Sequence, residues 1–91
     1  MNTITLDFSK CKYIDEIHSE FKIKFEFPDY YGKNLDALRD CLAYYTHDEL
    51  TVEIAGFKVV EKLFEEYSMK IREVLKDVSC SCPNIKFVFI S

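Results

Sequence analysis

The residues with the most chemical potential lie in one run, Pro28-Asp29-Tyr30-Tyr31-Gly32-Lys33-Asn34-Leu35-Asp36-Ala37-Leu38-Arg39-Asp40-Cys41-Leu42. A proline-led turn carries two tyrosines, then opens a helix bearing Asp36 and Asp40. Side chains four residues apart on a helix stand about 40° apart around the axis and about 6 Å along it. The two aspartates therefore share a face. Leu35, Leu38, Leu42 and Tyr45 recur on the other side at the spacing of a core-facing stripe. Like charges placed this way disfavour an isolated helix by roughly 0.2–0.5 kcal/mol, a cost that asks for a use. Two such carboxylates can contact one cation or work as an acid/base pair, but no third ligand accompanies them. The chain also shows no nucleophile elbow, no Cys–His pairing and no phosphate-binding glycine loop, its glycines being Gly32 and Gly56. His18 and His47 read as surface or boundary histidines. Catalysis is not the expectation, and no cofactor or metal is implied.

The setting is narrow. At 91 residues, 48% of them hydrophobic and 31% charged, the chain has room for one domain (1–91) with one modest core. The sequence shows neither a cationic leader followed by an apolar run nor an apolar stretch of membrane-spanning length, and the expectation is a cytoplasmic protein without a membrane partner. Cys11, Cys41, Cys80 and Cys82 then read as reduced thiols, and Cys80-Ser81-Cys82 lacks the further ligands a zinc site needs.

The net charge of −4 is unevenly placed. Residues 25–54 hold seven acids (Glu26, Asp29, Asp36, Asp40, Asp48, Glu49, Glu53) against Lys33 and Arg39, a local net of −5. The remaining residues hold nine acids and ten bases. Phosphate binding wants a basic face, so nucleic acid is excluded as the partner of this surface. A basic protein fits better, because opposite potentials steer encounter. Taken alone, the acidic segment is equally a solvated, solubilising face.

The elements that must position these residues follow from periodicity. Ile4, Leu6 and Phe8 alternate with Thr3, Thr5 and Asp7, a half-buried strand over 3–8. Ser9 to Lys12 reads as a loop. Ile14, Ile17, Phe21 and Phe25 then move to helical spacing, with Lys22 to Phe27 equally compatible with a strand and Pro28 ending either. The second helix runs from Lys33 or Asn34 to Tyr45, started by Gly32 or Asn34. Leu50, Val52 and Ile54 mark a second strand, closed by Gly56. Phe57, Val60, Phe64, Tyr67, Ile71, Val74 and Val78 form a helical seam with a break expected near Ser68. This seam could support self-association, but core packing explains it more simply, and the free protein reads as a monomer. Cys80 to Asn84 is predicted to be a turn. The near-continuous apolar run Ile85 to Ile90 predicts a strand covered on more than one side. Strands separated by helical connections pair in parallel. The fold class is α/β, a small two-layer domain with a three-stranded parallel sheet packed by helices.

The run from Pro28 to Leu42, with its Tyr-Tyr-Gly-x-Asn-Leu-Asp-Ala-Leu core, closely resembles the signature of barstar-family ribonuclease inhibitors. Element order, size and the C-terminal Phe89-Ile90-Ser91 agree across essentially the full chain. The resemblance implies a small intracellular protein that forms a 1:1 complex with a secreted, basic ribonuclease and plugs its active site. A ribonuclease site is basic because it binds phosphate, and helix-borne carboxylates can occupy it as phosphate mimics through charge-assisted hydrogen bonds. By similarity Asp40 is the central anion and Asp36 its neighbour. Tyr30 supplies an aromatic contact, with Tyr31 beside it among the partner-binding residues, Gly32 permits close approach, and Asn34 and Leu35 line the edge. Glu73 resembles the family's outlying acid. Arg39, Ala43 and Tyr45 depart from the best-known members, which carry an aromatic, a hydroxyl and a larger aromatic there. Arg39 either moderates the local negative field, meets a partner acid, or pairs with Asp36 three residues earlier. A cognate enzyme different from the best-studied one is expected. The alternative function is an immunity or interaction module for another basic toxin or protein.

Overall fold

Strand, helix and turn form where the side-chain period changes, and the computed structural model, which describes residues 2–44 and 49–90, shows the switches directly. The described chain runs β1 (Asn2–Asp7), α1 (Ile14–Phe25), α2 (Leu35–Ala43), β2 (Leu50–Ala55), α3 (Phe57–Leu63), α4 (Glu65–Ser81) and β3 (Ile85–Ile90). The three strands pair in parallel in the order β1-β2-β3. Their register sets Ile4, Val52 and Phe87 in one row and Leu6, Ile54 and Phe89 in the next. These rows face the helices, and Leu6, Val52 and Ile54 are fully buried. On the opposite face Thr3, Thr5 and Asp7 are exposed. The domain is therefore two-layered, with the helices on one side of the sheet. Among the described residues no helix is long and apolar enough to cross a membrane.

Helix α1 settles the ambiguity at Lys22–Phe27 in favour of helix. The Glu16 carboxylate accepts from the Lys12 and Tyr13 backbone N–H groups at 2.7 and 3.0 Å, satisfying donors at the start. At the end, Glu26 is left-handed (φ 55°), its N–H donates to the Ile23 carbonyl, and the Phe27 N–H donates to that of Lys22. This is a Schellman closure, and Pro28 bars any continuation. Ile17, Phe21 and Phe25 are buried as expected, but Ile14 is 36% exposed. It occupies the first turn, where the chain has not yet descended onto the sheet. Cys11, expected in a loop, is buried there, and burial pushes its thiol up to about 11.

The long seam breaks at Phe64, not at Ser68. Phe64 leaves the helical region (φ −138°, ψ 64°) and separates α3 from α4. The Ser68 hydroxyl donates to the Glu65 carbonyl at 2.6 Å, so this buried polar group is satisfied within the helix and does not disrupt it. The face from Ser68 to Val78 is core: Ile71, Val74, Leu75 and Val78 are at most 2% exposed. Helix α4 also runs further than predicted, through Cys80 and Ser81, which leaves only Cys82 to Asn84 as the turn into β3.

β3 departs from expectation as well. Only Ile85 is fully buried, while Val88, Phe89 and Ile90 are 42%, 39% and 39% exposed. β3 is an edge strand of a sheet covered on one face, so its apolar run is not matched by cover on both sides. Phe89 gains partial cover from Phe57, at 5.1 Å between ring centroids, and from the Arg72 guanidinium lying 4.4 Å from its ring.

Gly56 closes β2 and opens α3 with φ 72°. A Cβ there would stand 2.5 Å from the Ser9 backbone nitrogen and 2.8 Å from its Cα, so both conformation and space require glycine. Gly56→Ala is expected to destabilise the fold by about 2–3 kcal/mol, from the left-handed penalty plus a backbone clash. Urea unfolding followed by circular dichroism checks it, and a loss under about 0.5 kcal/mol contradicts the close approach.

Candidate functional site

The run from Pro28 to Ala43 becomes a tight turn followed by α2. The Tyr31 N–H donates to the Pro28 carbonyl at 3.0 Å, closing the turn. Lys33 takes a left-handed conformation (φ 51°), and Asn34 then stands extended at the helix N-cap. Its side-chain oxygen accepts from the Ala37 N–H at 2.8 Å, and its amide nitrogen donates to the Gly32 carbonyl at 3.3 Å. Asn34 thus fixes the entry angle of α2, a role worth about 1 kcal/mol for such a cap. Gly32 packs closely beside it: a Cβ would stand 3.0 Å from the Asn34 amide nitrogen, so a side chain there would push on the cap. Leu38 and Leu42 are fully buried and Leu35 packs partly buried against the same core. That anchorage turns Asp36 and Asp40 outward, both exposed. Among the described residues no cation pairs with either.

The two tyrosines part company. Tyr30 is 83% exposed, whereas Tyr31 is 6% exposed and packs on Phe27 at 4.9 Å between centroids. The Tyr31 hydroxyl lies 2.7 Å from Nδ1 of His18, whose Nε2 lies 2.5 Å from the Tyr67 hydroxyl. His18, expected at the surface or boundary, is fully buried. A neutral imidazole has one donor and one acceptor nitrogen, so one tyrosine accepts from it and the other donates to it. The node ties α1, the turn and α4 together, and it makes Tyr31 a support for the displayed Tyr30 and not a surface contact. Only a tertiary partner reveals this, because nothing in sequence distinguishes the two rings.

An open cleft of about 670 Å³ lies between the turn and α2. Tyr30, Gly32, Asp40, Cys41 and Tyr44 surround it, with Phe27 and Tyr31 behind. Tyr44 is 85% exposed. It follows Asp40 by four residues and so continues the face of Asp36 and Asp40, a spacing visible in the sequence. The Cys41 thiol is held above its ordinary range, first by burial and then by the Asp40 charge. Among the described residues the charged groups lining the cleft are Glu26 and Asp40, with no lysine or arginine.

The remaining predicted residues are spread wider. Arg39 does not pair with Asp36. Its Nη2 lies 3.2 Å from Oδ2 of Asp77 on α4, because α2 and α4 pack directly against each other. Ala43 is half-buried, and its carbonyl accepts a weak bond from Cys82 Sγ at 3.7 Å. Glu73 is exposed on α4 one turn before Asp77. Tyr45 lies outside the described residues, as does His47. Among the described residues no three His, Cys, Asp or Glu side chains group as a metal site would require.

With this geometry in place, comparison with known proteins is decisive. The sequence matches the barstar (barnase inhibitor) family over residues 1–90. The chain belongs to the barstar family. It is also 35% identical over 77 residues to a Bacillus subtilis (strain 168) protein named "Putative ribonuclease inhibitor YrdF", an alignment that covers 85% of each chain. The barstar-like run read from sequence is thus the turn, the capped helix and the cleft wall of the three-dimensional site.

The His18 node has a consequence for pH. Burial holds the His18 pKa below its ordinary 6.5, with Lys33 adding to the effect and Asp15 opposing it. The unfolded chain takes up a proton near pH 6.5 that the native state resists. The stability from neutral His18 is therefore complete above that pH and is lost as pH falls below it. Urea unfolding between pH 7.5 and 5 is expected to show a decline that His18→Gln, itself less stable at neutral pH, largely lacks. Parallel pH profiles for the two proteins contradict the assignment.

Proposed function

We propose that this chain is an inhibitor of a secreted, basic ribonuclease, acting in the cytoplasm as a monomer that forms a 1:1 complex, and that it blocks the enzyme's active site with carboxylates standing in for RNA phosphate. Family membership and the name of the Bacillus relative support inhibition over catalysis. The observation that carries the mechanism is the pair Asp36 and Asp40, exposed on a capped and anchored helix, with no cation on either among the described residues.

The physical argument is preorganisation. Both carboxylates already stand outward before any partner arrives, so binding orders little. Arginine, lysine and protonated histidine in a phosphate-binding site then donate charge-assisted hydrogen bonds to them. Asp40 opens onto the cleft between Tyr30 and Tyr44 and is the central anion, with Asp36 its neighbour one turn earlier. Tyr30 offers an aromatic face, Gly32 allows close approach, and Asn34 and Leu35 form the edge. Glu73 contributes an outlying charge from α4. Arg39 differs from the aromatic of the best-known members and tunes which enzyme is accepted.

Magnitudes separate anchors from bystanders. Close charge pairs in the barnase–barstar complex, the family's own reference pair and taken here by analogy, couple by about 1.5–7 kcal/mol. An exposed surface pair contributes about 0–1 kcal/mol. Asp40→Ala is expected to weaken inhibition at least a hundredfold while leaving urea stability within about 0.5 kcal/mol of the parent. Asp36→Ala is expected to cost less. Association with the enzyme is expected to slow as salt rises, since the acidic segment steers encounter. The experiment is affinity capture with the purified chain, followed by stoichiometric inhibition assays on any basic ribonuclease recovered. An Asp40→Ala variant that inhibits as well as the parent defeats the phosphate-mimic mechanism. Recovery of a different basic toxin points to the wider immunity-module reading.

A further inference from the structure

We propose that Asp77 on α4 is a positioning residue for the α2 carboxylates: it holds the Arg39 guanidinium away from Asp36 and Asp40, and so keeps both free for a cationic partner. The purpose assigned to this arrangement rests on the inhibitor reading above, whereas the arrangement itself belongs to the free protein.

Arg39 is placed where it threatens the site. It follows Asp36 by three residues and precedes Asp40 by one, and a helix brings positions three apart into contact. An Arg39–Asp36 pair would neutralise one of the two anions. It would also set a cation on the surface offered to a basic enzyme, where juxtaposed like charges oppose binding. The structure shows the other choice, with Nη2 of Arg39 3.2 Å from Asp77 Oδ2. Among the described residues this is the ion pair that joins α2 to α4; the others join Lys22 to Asp29, Lys33 to Asp15 and Arg72 to Glu61. Glu73 stands one turn before Asp77 on α4 and is also exposed, so the test below removes both acids.

Stability does not account for the pair. The two side chains are 46% and 61% exposed, and ion pairs so solvated contribute little to folding. What the pair decides is where the positive charge sits. Arg39 on α2 would cancel part of the charge its own helix displays, and Asp77 removes it to the seam between the helices.

The test is a carboxyl titration of the free protein by carbon-13 NMR, reading Asp36 and Asp40. In the otherwise unchanged chain, Arg39→Gln is expected to leave both midpoints within about 0.2 pH unit, because the guanidinium is already engaged elsewhere. In Glu73→Gln/Asp77→Asn, Arg39 has lost Asp77 and the acid one turn before it, and the midpoint of Asp36 or Asp40 is expected to fall by about half a unit or more. Adding Arg39→Gln to that double variant is expected to reverse most of the fall, and the part that persists measures the loss of the two α4 charges themselves. Restoring Asp77 as Glu in place of Asn is expected to return the parent midpoints. A large rise on Arg39→Gln alone, or a fall in the double variant that Arg39→Gln leaves untouched, overturns the proposal. Because these readings need no enzyme, they are independent of the Asp40→Ala inhibition assay, whose failure would overturn the site reading and not this one.

Discussion

A buried imidazole hydrogen-bonded on both nitrogens is the interaction on which the site depends. His18 comes from α1, Tyr31 from the turn before α2, and Tyr67 from α4. A neutral polar group in a core must be fully satisfied or it costs more than an apolar one. Satisfying this one pins α1, the turn and α4 to one another. With Tyr31 held inward, its neighbour Tyr30 must turn outward, and the glycine that follows leads directly into the capped start of α2. The display of one aromatic ring is thereby set by the burial of the other.

The second constraint is the one-sided sheet. A three-stranded parallel sheet with helices on a single face has room for only a few helices, and α2 is a short one of 9 residues. Its anchorage by Leu38 and Leu42, together with its contact with α4, leaves the opposite stripe wholly outside. Isolated helices of this length are unstable in water. The two adjacent like charges are tolerated because tertiary packing and the Asn34 cap, not helix propensity, hold the segment helical. Carboxylates on such a rigid support need little reorganisation to meet a cationic surface.

Legibility in the sequence tracked the range of the forces involved. The alternation of the first two strands, the inward Leu35, Leu38 and Leu42 of α2, the Asn34 cap and the shared face of Asp36 and Asp40 are all local, and all stand in the structure as the spacing implies. Misreadings arose where a local pattern was overruled from a distance. Ser68 looked like a break but bonds its own helix, and Phe64 bends the chain instead. Ile85 to Ile90 looked doubly covered because continuous apolar character carries no information about strand order. Tyr44 joins the site through its spacing from Asp40, although the family motif places its neighbours Ala43 and Tyr45 there instead.

What the sequence determined by itself was the parallel α/β architecture and a helix that turns two carboxylates to one side, since these follow from residue periods and caps that act over a few positions; the family resemblance rested on the Tyr30–Leu38 motif. The tertiary structure alone decided which tyrosine is displayed and which acid receives Arg39. Those outcomes depend on Tyr31 and Tyr67 meeting on the two nitrogens of His18, and on Asp77 lying 38 positions from Arg39 along the chain but 3.2 Å away in space. The partner of a charge or a buried hydroxyl is chosen by packing, and packing does not exist until the chain has folded.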